Sequence, residues 1–173
     1  MKYLFHAILS LSLAAAEAAD APYPSAFPTV LLTAARFVTW PAGALQPDAF
    51  LLCFRSDEPD APALQGLAGS RVQGRAVRLQ AIEVPGDALI CQILYLSAAA
   101  DRARFLEAVA LRPVLTIGRD AAILNDGAHL ALLRAPQHTL TAVNALALQR
   151  SGLRMDARLL RIAQRHDLSA AGP

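Results

Sequence analysis

Two short apolar runs constrain the fold of this chain more than any other feature of its sequence. Residues 50–54 are all apolar, residues 89–96 are apolar apart from Gln92, and each run contains one of the two cysteines. Continuous apolar runs of this length are typical of strands that are covered on both faces, as in parallel sheets. The sequence therefore predicts an α/β fold in which helices flank a mixed β-sheet.

Helical and strand-like segments alternate through the middle of the chain, and the last strands form a hairpin. Apolar residues recur at helical spacing in segments 29–39 and 100–111. Asp126–Gly127 predicts a tight turn, and Asp156 is a candidate N-cap for a last helix that runs through Arg165. Further helices are predicted at 61–67 and 145–150, and further strands at 76–84, 114–117, 129–134 and 139–143.

The N-terminus has the organisation of a secretory signal. Lys2 precedes an uncharged apolar run at 3–16, and the small residues Ala16 and Ala18 fit a cleavage site after Ala18. The alternative is an uncleaved membrane anchor, but the apolar run is shorter than the ~20 residues that a spanning helix needs. We therefore expect the chain to be exported from the cytoplasm.

The remaining chain is expected to form one domain with short appendages. Residues 1–18 are the predicted signal peptide, and residues 19–28, which are rich in proline, are an extended lead-in. No internal repeat and no long linker divides the rest, so a single domain is predicted at 29–166. A frayed tail follows at 167–173.

The composition excludes several classes of protein. Hydrophobic residues make up 55% of the chain and charged residues 17%, which is incompatible with intrinsic disorder. The net charge is only +2, too small for a protein that binds nucleic acid through a basic patch. We therefore expect no nucleic-acid partner.

The two cysteines, Cys53 and Cys91, form an even pair in a chain that is predicted to be exported. A disulfide bond is favoured in that compartment, and closing a loop of about 40 residues would stabilise the fold by about 4 kcal/mol. The alternative is two buried free thiols, because cysteine often acts as a small buried hydrophobe. The absence of a C-x-x-C motif argues against a metal site.

The sequence contains none of the familiar catalytic or phosphate-binding motifs. We therefore expect no enzymatic activity, no cofactor and no metal. His129 and His138 could face one another across a hairpin as a metal or pH-sensitive site, but a pair of surface histidines is the favoured interpretation. The acidic loop 57–60 has too few oxygen ligands for a Ca²⁺ site and is interpreted as a solvated loop.

Two features are candidate partner-binding elements. The first is an arginine series at spacings of four, four, three and four residues, which forms one stripe if the helices there are nearly continuous. Its alternative is a solvated face opposite an apolar stripe. The second feature is Trp40, the only tryptophan, which is either a core residue or an interface anchor. The partner-binding candidates are Trp40, Arg154, Arg158, Arg161 and Arg165, in a stripe that begins at Arg150.

Several segments, in this order, resemble the YfiR-like family of periplasmic proteins. The most specific is SGLRMDARLLRIA at 151–163. The others are LLTAARFVTWP at 31–41, the strand around Cys53, GRAV at 74–77, CQILYL at 91–96, LTIG at 115–118, DGAHL at 126–130 and VN at 143–144. Each segment alone is weak, and the resemblance rests on their order and spacing over about residues 29–165.

This resemblance implies a periplasmic α/β domain without catalytic activity. The best-known member of the family carries a disulfide like Cys53–Cys91 and represses a membrane-bound diguanylate cyclase by binding its periplasmic sensor region, which lowers cyclic di-GMP and restrains biofilm formation. The resemblance also implies a homodimer and sequestration by an outer-membrane lipoprotein. The alternative function is a periplasmic sensor domain that binds a small ligand for another receptor, which requires a closed apolar pocket.

Overall fold

The computed structural model describes residues 27–46, 48–98, 100–135 and 138–165, with the backbone alone at residues 164 and 165. The predicted signal peptide, the lead-in up to residue 26 and the predicted tail lie outside these residues. None of the helices in the described ranges has the length and hydropathy of a membrane span.

Six α-helices and ten strands make up the described part of the chain. The helices are α1 (Phe27–Arg36), α2 (Ala61–Leu64), α3 (Arg102–Val109), α4 (Ala122–Asn125), α5 (Ala145–Arg150) and α6 (Ala157–Ile162), with 3₁₀ turns at Gln65–Leu67 and Pro85–Ile90. The strands are β1 (Val38–Thr39), β2 (Ala49–Arg55), β3 (Arg71–Val72), β4 (Arg75–Ile82), β5 (Ile93–Tyr95), β6 (Leu115–Gly118), β7 (Leu130–Arg134), β8 (Thr139–Val143), β9 (Arg154–Met155) and β10 (Gln164–Arg165).

Eight of these strands form one mixed sheet in the order β10-β8-β7-β6-β5-β2-β4-β3. The central strands from β7 to β4 are parallel to one another, whereas β8 is antiparallel to β7 and β3 is antiparallel to β4. The strands β1 and β9 form a separate antiparallel ribbon. This arrangement confirms the predicted α/β class with a mixed sheet flanked by helices.

The sheet is buried on both faces, as the continuous apolar runs predict. Alternate residues of a strand point to opposite faces, and the neighbours Leu52 and Cys53 accordingly belong to two different apolar clusters. One cluster packs α1, α2, α5 and α6 against the sheet, and the other packs α3, α4 and the 3₁₀ turn Pro85–Ile90. The domain therefore has three layers.

The predicted disulfide is present. Cys53 lies in β2 and Cys91 lies two residues before the neighbouring strand β5, with Cα atoms 5.9 Å apart. Both residues are buried, so the bridge joins two adjacent strands inside the apolar layer. No free cysteine remains among the described residues.

Several predicted element bounds differ from the structure. The predicted helix 29–39 ends at Arg36, and Val38–Thr39 form the strand β1. α1 begins at Phe27 instead of residue 29, because Pro28 is tolerated in the first helical turn, where its missing N–H has no partner to lose. The predicted strand 89–96 is reduced to β5, because the chain makes a 3₁₀ turn that ends at Cys91. The Asp87 carboxylate accepts from the backbone N–H of Val84 at 3.3 Å and supports the start of this turn.

Candidate functional site

The ribbon of β1 and β9 forms a groove that brings two of the predicted residues together. Thr39 pairs with Arg154 across the ribbon. Trp40 and Pro41 continue from β1, and Gly152, at φ +74°, turns the chain into β9. These five residues line a groove of about 200 Å³.

Trp40 belongs both to the core and to this groove. Its side chain is only 6% exposed, and its ring meets the ring of Phe50 edge-on at 5.1 Å between centroids. Its indole Nε1 is buried and has no hydrogen-bond acceptor among the described residues. A buried N–H without an acceptor is uncommon, because the donor has lost its hydration without compensation.

The start of α6 lies next to the ribbon. Asp156 caps the helix by accepting from the backbone N–H of Arg158 at 2.7 Å, and its own N–H donates to the carbonyl of Phe37 at 2.8 Å. The guanidinium of Arg158 donates to both carboxylate oxygens of Asp156, at 2.9 and 3.1 Å, and lies 5.5 Å from the ring centroid of Phe37. The hydrogen bonds from Arg158 lower the pKa of Asp156 to about 2, so the carboxylate is charged at neutral pH.

The helices in this region are not continuous, so the arginines do not form the stripe that continuous helices would give. Arg150 ends α5, Arg154 lies on β9, and only Arg158 and Arg161 share a helix. The chain cannot stay helical because Gly152 adopts a left-handed conformation and Asp156 starts a new helix. The predicted helix through Arg165 ends at Ile162.

The arginines of this region therefore have different roles. Arg158 is bound to Asp156, whereas Arg154 and Arg161 are exposed and have no carboxylate partner within the described ranges. Arg161 is close enough to Asp156 to contribute to the lowered pKa of its carboxyl group. Arg165 enters β10, where its backbone pairs with Val143.

A second polar cluster lies at the carboxyl ends of β2, β5 and β6. Glu58 accepts from both the N–H, at 3.0 Å, and the hydroxyl of Ser97. Asp60 accepts from the Tyr95 hydroxyl at 2.6 Å and from Arg119 at 2.8 Å. Burial and the hydrogen bond to Asp60 raise the pKa of Tyr95, which therefore stays protonated.

This cluster occupies the switch point of the sheet. The chain leaves β2 towards β4 on one side and later returns to β5 on the other side, and ligands of open α/β sheets often bind at such a position. Here the polar side chains form hydrogen bonds with one another, so they are not free to bind a ligand at this position. The predicted solvated loop is wrong for Glu58, which is only 4% exposed. The signal that could have identified this cluster is an E-x-D motif after the buried strand β2 and a Y-x-S motif at the end of the buried strand β5.

A buried histidine contacts a serine, but their geometry does not activate the serine. His129 Nδ1 accepts from the backbone N–H of Thr116 at 3.0 Å, and Nε2 lies 2.9 Å from Ser151 Oγ. Burial lowers the pKa of His129 to about 4, so at neutral pH the ring carries one proton, on Nε2. Nε2 donates to Ser151, whose hydroxyl donates to the Leu148 carbonyl at 3.1 Å. A general base would have to accept from the serine, and this tautomer cannot.

The prediction of a pair of surface histidines is wrong, because His129 is buried and only His138 is exposed. His129 precedes β7 and its carbonyl accepts from Asn144, whereas the carbonyl of His138 accepts from Ala135 at the other end of the hairpin. Among the described residues, no three potential ligands come together as a metal site.

Comparison with known proteins assigns this fold to a family. No curated protein matches the chain significantly. A family model described as YfiR/HmsC-like matches residues 29–164, which is almost the whole described region. The chain therefore belongs to the YfiR/HmsC-like family, generally non-catalytic regulators, and this membership supports a periplasmic regulator of diguanylate cyclase signalling.

Proposed function

We propose that this protein inhibits a membrane-bound diguanylate cyclase by binding its periplasmic region and thereby lowers cyclic di-GMP. The observation that carries the proposal is the family match across residues 29–164. The predicted signal peptide at 1–18 supports it, because such a sequence directs a protein to the compartment of that partner region.

Inhibition of this kind acts by a population shift. A protein that binds the inactive conformation of the cyclase more tightly than the active one moves the equilibrium towards the inactive state. To reverse a ratio of 1:99 into 99:1, the difference in affinity has to be about 10⁴-fold. The inhibitor therefore needs a surface that distinguishes two conformations of its partner.

The proposed binding surface is the face formed by the β1–β9 ribbon and α6, which we call the ribbon face. It joins a groove lined by Trp40 to two exposed cations, Arg154 and Arg161. Tryptophan and arginine are enriched among the residues that contribute most to protein interfaces. Arg158 supports the face through its bond to Asp156, and Arg165 is a further candidate on β10.

Two further interactions complete the proposal. The protein acts as a homodimer, and an outer-membrane lipoprotein sequesters it and releases the cyclase. Both are proposed on the resemblance to the YfiR-like family and not on contacts of the described residues.

The alternative function as a small-ligand sensor fits the cavities less well. Pockets for small ligands usually have volumes of about 300–1,000 Å³ and enclose most of the ligand. The ribbon groove has about 200 Å³, and a second groove at the end of α4 has about 180 Å³. Neither is an enclosed cavity, so both suit a side chain of a partner better than a whole ligand.

The proposal is tested in cells from which the chromosomal gene has been deleted, with and without a copy of the gene on a plasmid. Cyclic di-GMP, measured by mass spectrometry, should rise on deletion and fall again with the wild-type gene. The double variant Arg154→Glu/Arg161→Glu should be exported like the wild type but should not lower cyclic di-GMP. The matched control Arg104→Glu/Arg112→Glu changes two exposed arginines outside the ribbon face and should repress normally. Unchanged cyclic di-GMP on deletion would refute the function.

A further inference from the structure

The strand β4 has an open outer edge over its second half. On its inner side it pairs with β2 along its whole length, whereas on its outer side β3 pairs only with Arg75 and Ala76. The next residue, Val77, donates to the carbonyl of Ser70 at 2.7 Å and accepts from the N–H of Gly69 at 3.0 Å. Two residues thus face one, which is a β-bulge, and Gly69 has the positive φ, +77°, that is common in such a bulge. The bulge ends the outer pairing at Val77.

Beyond the bulge, the backbone of β4 presents free hydrogen-bonding groups on its outer side. Residues of a strand direct their N–H and C=O groups alternately to its two sides. Val77 directs them outward, and the carbonyl of Ile82 accepts from the residue after β2, on the inner side. By this alternation Leu79 and Ala81 direct their groups outward, where neither has a backbone partner among the described residues. The carbonyl of Ala81 accepts only from the side chain of Gln80, at 2.7 Å. Such a row of groups can pair with an added strand.

The two faces of the sheet beside this edge differ in chemistry. One face carries the exposed side chains of Arg78 and Gln80, and the register of the β3–β4 hairpin places the exposed Arg71 on the same face. The other face carries Leu79, which packs against the apolar cluster of α1, and the small side chain of Ala81. An added strand therefore meets a cationic surface on one face and an apolar surface on the other.

The charged groups around the edge specify the chemistry of the occupant. In the described ranges neither Arg71 nor Arg78 forms an ion pair with a carboxylate. The nearest carboxylate in sequence, that of Glu83, lies beyond the end of the strand. The carboxylate of Asp87 is occupied, because it accepts from the backbone N–H groups of Glu83 and Val84. Acidic side chains on an added strand would supply the charge that this face lacks.

We infer that the outer edge of β4 at residues 79–82 accepts an extended segment of a partner protein, in which acidic and apolar residues alternate, as an additional strand of the sheet. The inference goes beyond the proposed function and does not use the ribbon face. Backbone hydrogen bonds to Leu79 and Ala81 supply affinity, and contacts of acidic side chains with Arg71 and Arg78 select the segment. A second copy of this chain is the less suitable occupant, because its β4 is limited by the same bulge and brings arginines to the same face.

Amide hydrogen exchange tests the inference at the residues themselves. In the full chain labelled with ¹⁵N, the outward amides of Leu79 and Ala81 should exchange fast, while those of Gln80 and Ile82 bond to β2 and should exchange slowly. The probe is a capped pentapeptide in which glutamate and valine alternate. At about ten times its dissociation constant it should slow the exchange of the two outward amides about tenfold. The same peptide with lysine in place of glutamate should leave their exchange unchanged.

N-methylated peptides distinguish strand addition from charge attraction alone. An added strand pairs through one of its two edges, so only every second N–H of the peptide faces β4. One peptide carries the methyl groups on the valine nitrogens, and another carries them on the glutamate nitrogens. One of the two should lose the protection of the outward amides, and the other should keep it. Equal effects of both would show that the peptide does not pair as a strand.

Variants assign the binding to the open edge. Ala81→Pro removes an outward N–H but no bond to β2, which is a position where a sheet tolerates proline, and it should weaken peptide binding about tenfold. Arg78→Gln should weaken binding about fivefold at low salt. The control Arg134→Gln removes an exposed arginine at the end of β7 and should bind like the wild type. The amide spectrum of each variant reports whether it is folded.

Three results would overturn the inference. The amides of Leu79 and Ala81 are already protected in the free monomer, or the lysine peptide protects them as well as the glutamate peptide, or folded Ala81→Pro binds the peptide like the wild type. Sedimentation velocity tests the other occupant: protection that is present in a dimer and lost on dilution to the monomer would place a second copy at this edge and refute a foreign segment. None of these outcomes depends on the measurement of cyclic di-GMP, so the proposed function stands or fails separately.

Discussion

The backbone N–H of Thr116 donates to Nδ1 of His129 at 3.0 Å, and this bond determines which ring nitrogen carries the proton. The hydroxyl of Thr116 lies 2.7 Å from the same nitrogen and accepts from the backbone N–H of His129 at 3.0 Å. A proton on Nδ1 would face the Thr116 N–H donor. The neutral ring thus links β6 and β7 to Ser151 at the end of α5, directly before the ribbon groove.

This network makes the stability of the protein dependent on pH. The pKa of His129 is about 4 in the folded state, against 6.5 for a free side chain, so the unfolded chain binds the additional proton between these values. The contribution of His129 to the free energy of unfolding is therefore fully present above pH 6.5 and decreases as the pH is lowered from 6.5 to 4. Below pH 4 it does not change further. The loss should approach about 3 kcal/mol.

Urea unfolding at pH 7, 5 and 4 measures this loss. The side chain of His129→Gln cannot titrate. The free energy of unfolding of this variant should therefore fall by about 3 kcal/mol less between pH 7 and pH 4 than that of the wild type. At neutral pH we expect the variant to be less stable than the wild type. Equal pH dependence of both proteins would show that other groups are responsible.

The disulfide should contribute a large part of the total stability. The double variant Cys53→Ser/Cys91→Ser loses the cross-link that closes a long loop, and we expect the free energy of unfolding to fall by about 4 kcal/mol. Urea unfolding is the measurement. A reducing agent should lower the stability of the wild type but leave the double variant unaffected, and equal stability of the two proteins without reductant would contradict the prediction.

Glu58 should be needed as a carboxylate. In the wild type, both carboxylate oxygens of Glu58 accept hydrogen bonds, from the N–H and the hydroxyl of Ser97. Glu58→Gln replaces one of these oxygens with an NH₂ group, which cannot accept. We expect a loss of about 1.5–3 kcal/mol in thermal or urea unfolding. Asp57→Asn is the control, because the Asp57 side chain is 63% exposed and its ion pair with Arg55 should contribute about 1 kcal/mol or less. Similar losses for the two variants would refute a special role for Glu58.

Gly118 should tolerate no side chain. A Cβ atom there would overlap the Cδ1 atom of Ile123 and lie 2.7 Å from the backbone oxygen of Leu96. Gly118→Ala is expected to destabilise the fold by about 1–3 kcal/mol. At Gly66 the same substitution meets no atom within 4 Å, and Gly66→Ala should be neutral or slightly stabilising. The two melting temperatures compare them directly.

The three-layer core could be predicted from the sequence because burial on both faces leaves a continuous apolar run, as in β2. The position of Cys91 outside a strand could not be predicted, because the run 89–96 is equally apolar whether its first residues form a strand or a 3₁₀ turn. Leu89 and Ile90 show this ambiguity: they are 49% and 56% exposed despite their apolar character.

The candidate site was predictable only in part. The sequence indicates Trp40 and Arg154 separately, but their proximity depends on a ribbon of two-residue strands, which is too short to produce a periodic pattern. The bond between Glu58 and Ser97 depends on the neighbouring positions of β2 and β5, which local sequence does not specify.

The β1–β9 ribbon joins the first and last parts of the domain, with Val38 opposite Met155. The groove and its cations thus come into being only when a complete polypeptide has been made and assembled, since neither terminal half contains both walls. A chain that lacks either of these two segments cannot form the groove. Truncation of the domain from either end is therefore expected to remove the groove, whatever the rest of the chain still folds into.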